Sequence, residues 1–252
     1  MRIFELRKRA SSNDPDEGRP LKKQRLLNSL GDTITLLVGK DEIPLTVHKT
    51  VLCDSSPFFA AACKPEWQAL EVGVIRLPDD APDTIRAMAY WIYHDEICVP
   101  KKFNHSATEE TGLRESKEFL FVNLFLVGDK YLMPRLRNHA IDALLMVGAP
   151  SAIKLSGYVY ENTRSGSALR ALLVRLLAFQ CTLDAFEAEK DHICPEFMYD
   201  IAVAGLKARV FSIGTYGPVL LPGINFCKEF HTHSEDNQRL CSVTKKFTFE
   251  SA

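Results

Sequence analysis

The stretch DTITLLVGKDEIPLTVHKTVLCDSSPFF, residues 32–59, decides how the rest of the chain is read. Thr33 and Thr35 alternate with Ile34 and Leu36, the period-two pattern of a strand with one buried face. Gly39-Lys40-Asp41-Glu42 then supplies turn residues, and Ile43 to Val47 returns as a second strand, so a hairpin is expected. Ser56 followed by Pro57 is an N-cap with proline in the first turn, which predicts a short helix from Phe58 to Cys63, stopped by Lys64-Pro65. Val74-Ile75-Arg76-Leu77 reads as another short strand. Asp79-Asp80 is expected to cap a helix with Pro82 in its first turn, whose Ile85, Met88, Ala89 and Ile92 form one apolar face.

Beyond residue 98 the texture changes. Residues 98–114 are polar and without period, as a surface loop is, and everything after them repeats at helical spacing. Leu120, Leu124, Val127 and Tyr131 run down one stripe, and Pro134 restarts a helix that carries Leu136, His139, Ala140 and Leu144. Further helices are expected from Ser151 to about residue 160, around the leucine series 169, 172, 173, 176 and 177, and from Pro195 to about Lys207. Phe59, Leu77, Ile85, Ile92, Leu124 and Val127 are the expected core. The fold class is therefore α+β: a small, mostly N-terminal sheet flanked by helices, then a helical extension. The expected divisions are a basic, disordered arm at 1–30, a mixed domain at 31–146, a helical extension at 147–210 and an irregular tail at 211–252.

The composition restricts function. The chain has 252 residues, 46% hydrophobic and 25% charged, with 31 Lys and Arg against 32 Asp and Glu. That is enough apolar material for a core, and a net charge of −1 argues against a nucleic-acid mode that needs a positive whole-protein field. The positive charge is local: eight basic side chains against four acidic ones lie in residues 1–29. Lys8-Arg9 and Lys22-Lys23-Gln24-Arg25, twelve residues apart, have the spacing of a two-cluster nuclear import signal; the same composition also describes a solvated tail. Seven dispersed cysteines and an opening without an apolar leader lead us to expect an intracellular protein with reduced thiols, in the nucleus, the cytoplasm or both. The uncharged run Val210 to Cys227 contains Gly214, Gly217, Pro218, Pro222 and Gly223, which disqualify it as a membrane helix.

The motifs that position a nucleophile, a nucleotide or a zinc-activated water are missing, so no catalysis is expected. One ligand set stands out: Cys227, His231, His233 and Cys241 supply two thiolates and two imidazoles within fifteen residues, a combination that zinc accepts. The spacing lacks the paired arms of a zinc finger, and the expectation is that these four residues lie near one another without metal; no other cofactor is implied. His48, at a strand end, reads as a structural histidine.

The residues quoted above, taken in order, resemble the BTB/POZ domain, a protein-interaction fold. The resemblance is carried by Asp32 at the first strand, Leu45 to Lys49, Val51-Leu52, Ser56 with Phe58-Phe59, Leu77-Pro78-Asp79-Asp80 and Trp91-Ile92-Tyr93, then by Gly128-Asp129-Lys130-Tyr131 with Pro134 and Leu136, and it covers about residues 31–146. Residues 159–170 and the Cys/His tail resemble filamentous-fungal BTB proteins. The resemblance implies a non-catalytic adaptor or scaffold that forms a homodimer, with Leu26 and Leu27 as part of the interface. It also implies a charged pocket formed by Asp32 and Lys49, a pair that reads equally well as an ion pair at a domain edge. Two other roles follow from it. One is a nuclear transcriptional co-regulator that uses Lys8, Arg9, Lys22, Lys23 and Arg25 for import. The other is a substrate adaptor on a cullin scaffold, against which stands Trp67-Gln68-Ala69, where cullin-binding relatives carry a hydrophobic-x-Glu motif.

Overall fold

A computed structural model describes residues 31–64, 72–101, 116–147, 150–211, 230–232 and 248–249. The hairpin forms as its alternation requires. Strands β1 (Thr33–Val38) and β2 (Ile43–His48) pair antiparallel, with Ile34 opposite Val47 and Leu36 opposite Leu45. Strand β3 (Val74–Leu77) joins the other edge of β1 in parallel, giving the order β2-β1-β3. Ile34, Leu36 and Val38 all turn to the buried face, a placement that a one-residue slip of register would reverse. Gly39 turns the chain at φ 75°, and its missing side chain faces the Asp80 carbonyl, where a Cβ would lie 3.5 Å away.

Two short helices follow. α1 (Lys49–Ser55) begins directly at the end of β2, a helix that the sequence reading left out. α2 (Pro57–Ala62) starts where Ser56-Pro57 predicts: the Ser56 hydroxyl accepts the Phe59 N–H at 3.1 Å. The same hydroxyl donates to the Tyr131 carbonyl, which fastens α2 to a corner 75 residues later in the chain. α3 (Pro82–His94) buries Ile85, Met88, Ala89, Trp91 and Ile92 as its period predicts, and ends at Asp95 in the left-handed conformation. The expected cap is corrected here. Ala81, not Asp80, precedes the helix, and Asp80 is buried with its carboxylate committed to α4, as described below.

Two departures concern the loop and the tail. Cys98–Val99 (β4), placed by the sequence reading in a surface loop, pairs in parallel with Thr248–Phe249 (β5), placed in an irregular tail. Two-residue strands are too short for period-two reading to detect.

α4 (Lys117–Lys130) is buried on nearly every side, with Leu120, Phe121, Val122, Leu124, Phe125 and Val127 all inaccessible. It turns at Tyr131-Leu132-Met133 into α5 (Pro134–Val147). The extension consists of α6 (Pro150–Asn162), α7 (Ala168–Gln180), α8 (Leu183–Ala188), a short 3-10 turn at Lys190–His192 and α9 (Pro195–Phe211). The five expected leucines of α7 are buried, and α6 is locked to α4 by the Tyr158 hydroxyl, which donates to Asn123 Oδ1 at 2.7 Å. All six predicted core residues are buried, and one apolar core runs without interruption from Ile34 to Phe230.

Burial also governs the thiols. Cys53, Cys63, Cys98, Cys181 and Cys194 are in no disulfide. The Cys63 thiol is pushed up to about 12, first by burial and then by the adjacent Cys53. Native protein treated with iodoacetamide at pH 8 is therefore expected to leave Cys63 unmodified, as read by peptide mass spectrometry; rapid alkylation there would contradict its burial. The unfolded thiol releases its proton near 9.0 while the folded one keeps it to about 12, so this group lowers stability as pH rises across that interval.

Candidate interaction surfaces

The first candidate region is the open end of the β1–β2 hairpin. Asp32 and Lys49 meet there through the main chain: the Lys49 N–H donates to the Asp32 carbonyl at 2.9 Å, extending the pairing of Thr33 with His48. The Asp32 side chain is exposed and that of Lys49 half-buried, and no ion pair joins them among the described residues. His48 is structural as expected, its Nδ1 lying 2.8 Å from the Tyr93 hydroxyl.

The second region is the corner between α4 and α5. Asp80, only 8% exposed, accepts from the Tyr131 hydroxyl and from Lys130 Nζ at 2.8 Å. Burial first, and then this bond to Asp80, hold the Tyr131 phenol well above its ordinary range. The Tyr131 ring packs on Phe59 and Phe58, with centroids 4.8 and 5.0 Å away. The corner is thus rigid underneath and apolar on top. Phe58 is 39% and Leu132 is 56% exposed, and Leu132 has φ 55°, a backbone state that costs a branched residue about 1 kcal/mol or more. Sequence reading noted Phe58 but missed Leu132. The available signal was Met133-Pro134, which forces a break in an apolar helix and leaves an apolar residue on the turn.

The third region is where the C-terminal segment returns. Phe230 is buried, and Arg175 of α7 lies over its ring, 5.6 Å from the centroid. His231 Nε2 lies 2.9 Å from Asp142 Oδ1 of α5, both side chains nearly inaccessible. Asn138, one turn earlier on α5, donates from Nδ2 to the Thr232 carbonyl and accepts the Thr232 N–H, each at 2.9 Å. Of the four proposed metal ligands, His231 is thus placed against a carboxylate, while Cys227, His233 and Cys241 lie outside the described residues, as do Leu26, Leu27, Trp67, Lys8, Arg9, Lys22, Lys23 and Arg25. Among the described residues no three His, Cys, Asp or Glu side chains gather as a metal site, and no helix is long and apolar enough to cross a membrane.

The described fold is thus a three-stranded sheet backed by short helices, with Phe58 and Leu132 exposed beside the buried Tyr131. The chain belongs to the BTB/POZ family: the model of the BTB/POZ domain matches residues 21–146, half of the chain, beginning ten residues earlier than the boundary drawn from texture. A BTB/POZ domain-containing protein of Arabidopsis thaliana is 29% identical over 72 residues, which is 27% of this chain and 30% of the relative. The chain therefore aligns with under a third of that relative's length.

Proposed function

We propose that this chain is a non-catalytic adaptor that self-associates through its BTB/POZ domain and receives a second protein on the Phe58–Leu132 corner. The observation that supports this reading is the corner itself. Two large apolar side chains are held outward on a platform of Ser56, Asp80, Lys130 and Tyr131, whose hydrogen bonds fix the backbone and leave the side chains exposed. A strained exposed leucine serves no core, and exposed aromatic and leucine side chains at a preorganised turn are what a partner buries at the centre of an interface.

The test separates the two parts of the proposal. Light scattering at micromolar concentration is expected to give the mass of a dimer, reduced to that of a monomer by Leu26→Asp with Leu27→Asp. Phe58→Asp with Leu132→Asp is expected to keep the dimer mass and a cooperative unfolding transition, at a melting temperature lowered by the lost Phe58 ring contacts, while abolishing recovery of the partners that crosslink to the unaltered protein in its own cells. Unchanged recovery by that variant would remove the corner from the reading; a monomeric mass for the unaltered chain would remove self-association.

A further inference from the structure

Helix α3 is pinned to its neighbours by two histidine contacts that differ in chemistry. On one side, Tyr93 meets His48 at the end of β2: the Tyr93 hydroxyl accepts the His48 backbone N–H at 2.9 Å and lies 2.8 Å from His48 Nδ1. On the other, the buried Trp91 donates its indole N–H to Nδ1 of the half-buried His139 on α5 at 2.6 Å, with the two rings edge to face and their centroids 5.5 Å apart. A hydroxyl both donates and accepts, so Tyr93 can face His48 whether or not Nδ1 carries a proton. An indole N–H only donates. Trp91 therefore requires a bare lone pair on His139 Nδ1, and the neutral ring keeps its proton on Nε2.

Protonation of His139 places a second N–H against the indole N–H. The contact then turns from a bond into a repulsion between donors, and a buried donor loses its acceptor. The charged and titratable groups around the ring do not change that direction. Arg135, one turn earlier on α5, is joined to Asp95 of α3 at 2.8 and 2.7 Å, and its guanidinium lies over the Trp91 ring, 5.9 Å from the centroid. Asp142, three residues beyond His139, lies against His231, and His94 of α3 stacks on the Tyr90 ring at 4.0 Å. A nearby cation lowers the pH at which an imidazole takes a proton and a nearby carboxylate raises it, but neither supplies Trp91 with an acceptor.

We propose that His139 is an acid-released latch between α3 and α5: neutral, it holds Trp91, and protonated, it lets go, while the His48–Tyr93 contact on the other side of α3 persists. α5 begins at Pro134, two residues beyond Leu132, so the latch governs how firmly the first turns of α5 are held next to the α4–α5 corner. The Arg135–Asp95 pair joins the same two helices and remains in place, so the response is a local opening and not unfolding. The latch is independent of what the corner binds.

The full-length chain labelled with nitrogen-15 at tryptophan reports the contact directly. Trp67 and Trp91 are its two tryptophans, and Trp67→Phe assigns the remaining indole signal. Between pH 8 and pH 5 the Trp91 indole proton is expected to move upfield along a one-proton curve that coincides with titration of the His139 ring. His139→Gln, whose side-chain oxygen accepts at every pH, is expected to abolish that movement and hold the signal downfield, whereas His48→Gln should leave the curve as it is. The Asp95 amide, which donates to the Trp91 carbonyl at 2.7 Å, reads the opening. At pH 5 it is expected to exchange about tenfold faster in the unaltered chain than in the His139→Gln chain, and equally fast in both at pH 8. A Trp91 signal that stays downfield at pH 5, a signal that moves alike in the His139→Gln chain, or equal Asp95 exchange in the two chains at pH 5 would overturn the proposal.

Discussion

Phe59→Ala is expected to destabilise the protein by about 3 to 5 kcal/mol, the range for removing a fully enclosed ring from a core. Phe59 has no accessible surface and sits between its own helix α2, whose Phe58 ring is 5.3 Å away, and the Tyr131 ring at 4.8 Å. Relaxation into the hole is restricted from both sides. The Ser56 hydroxyl ties α2 to the Tyr131 carbonyl, and Tyr131 is in turn held by Asp80. Alanine should therefore leave a cavity and also loosen the support of the exposed corner. Urea denaturation monitored by circular dichroism measures the loss; a change below about 1.5 kcal/mol would show that the site collapses readily, contrary to this packing.

Gly128→Ala is the second large effect, and here two opposing magnitudes decide the sign. Alanine in a helix is worth up to about 1 kcal/mol over glycine by intrinsic propensity, and position 128 lies in the last turn of α4, where the gain is smaller. Against that, a Cβ at residue 128 would lie 2.8 Å from Arg137 Cγ, 3.1 Å from the Arg137 amide nitrogen and 3.3 Å from the Met133 carbonyl. The flexible Arg137 stem can move; the backbone of α5 can retreat only by opening the α4–α5 hairpin. Overpacking of this kind costs about 1 to 3 kcal/mol and outweighs the propensity gain, so a net loss is expected, and it should bring a melting temperature lower by about 2 to 4 °C for each kcal/mol. An increase in melting temperature would mean that the two helices do not cross as closely as described.

How far the sequence spoke depends on the length over which each pattern persists. The β1–β2 hairpin and α3, α4, α5 and α7 announce themselves because their apolar residues repeat through several turns or alternations, and the BTB/POZ resemblance rests on those of them that precede residue 147. Several short elements without a marked cap or alternation did not: β4 and β5 have two residues each, and α1 and α8 have seven and six, less than two helical turns. Asp80 shows a different failure. Two acids before a proline look like a helix cap, and only the long-range return of Tyr131 and Lys130 makes one of them a buried acceptor. The candidate sites were less legible still. Asn138 and Asp142 stand four residues apart in an otherwise apolar helix, a visible anomaly, but what they meet comes from Phe230 to Thr232, and no local pattern joins segments so distant. His231 was singled out for its neighbouring thiols and imidazole, whereas its described partner is a carboxylate on another element.

The unbroken core has a consequence for where the chain can be divided. The family match stops at residue 146, yet the apolar core does not: Phe119, Leu124 and Phe125 belong to the same cluster as Ile153, Leu155, Leu172 and Leu176. A module that shares its interior with a neighbour in this way is not a self-sufficient cassette: cut after residue 146, it would turn an inner wall toward water.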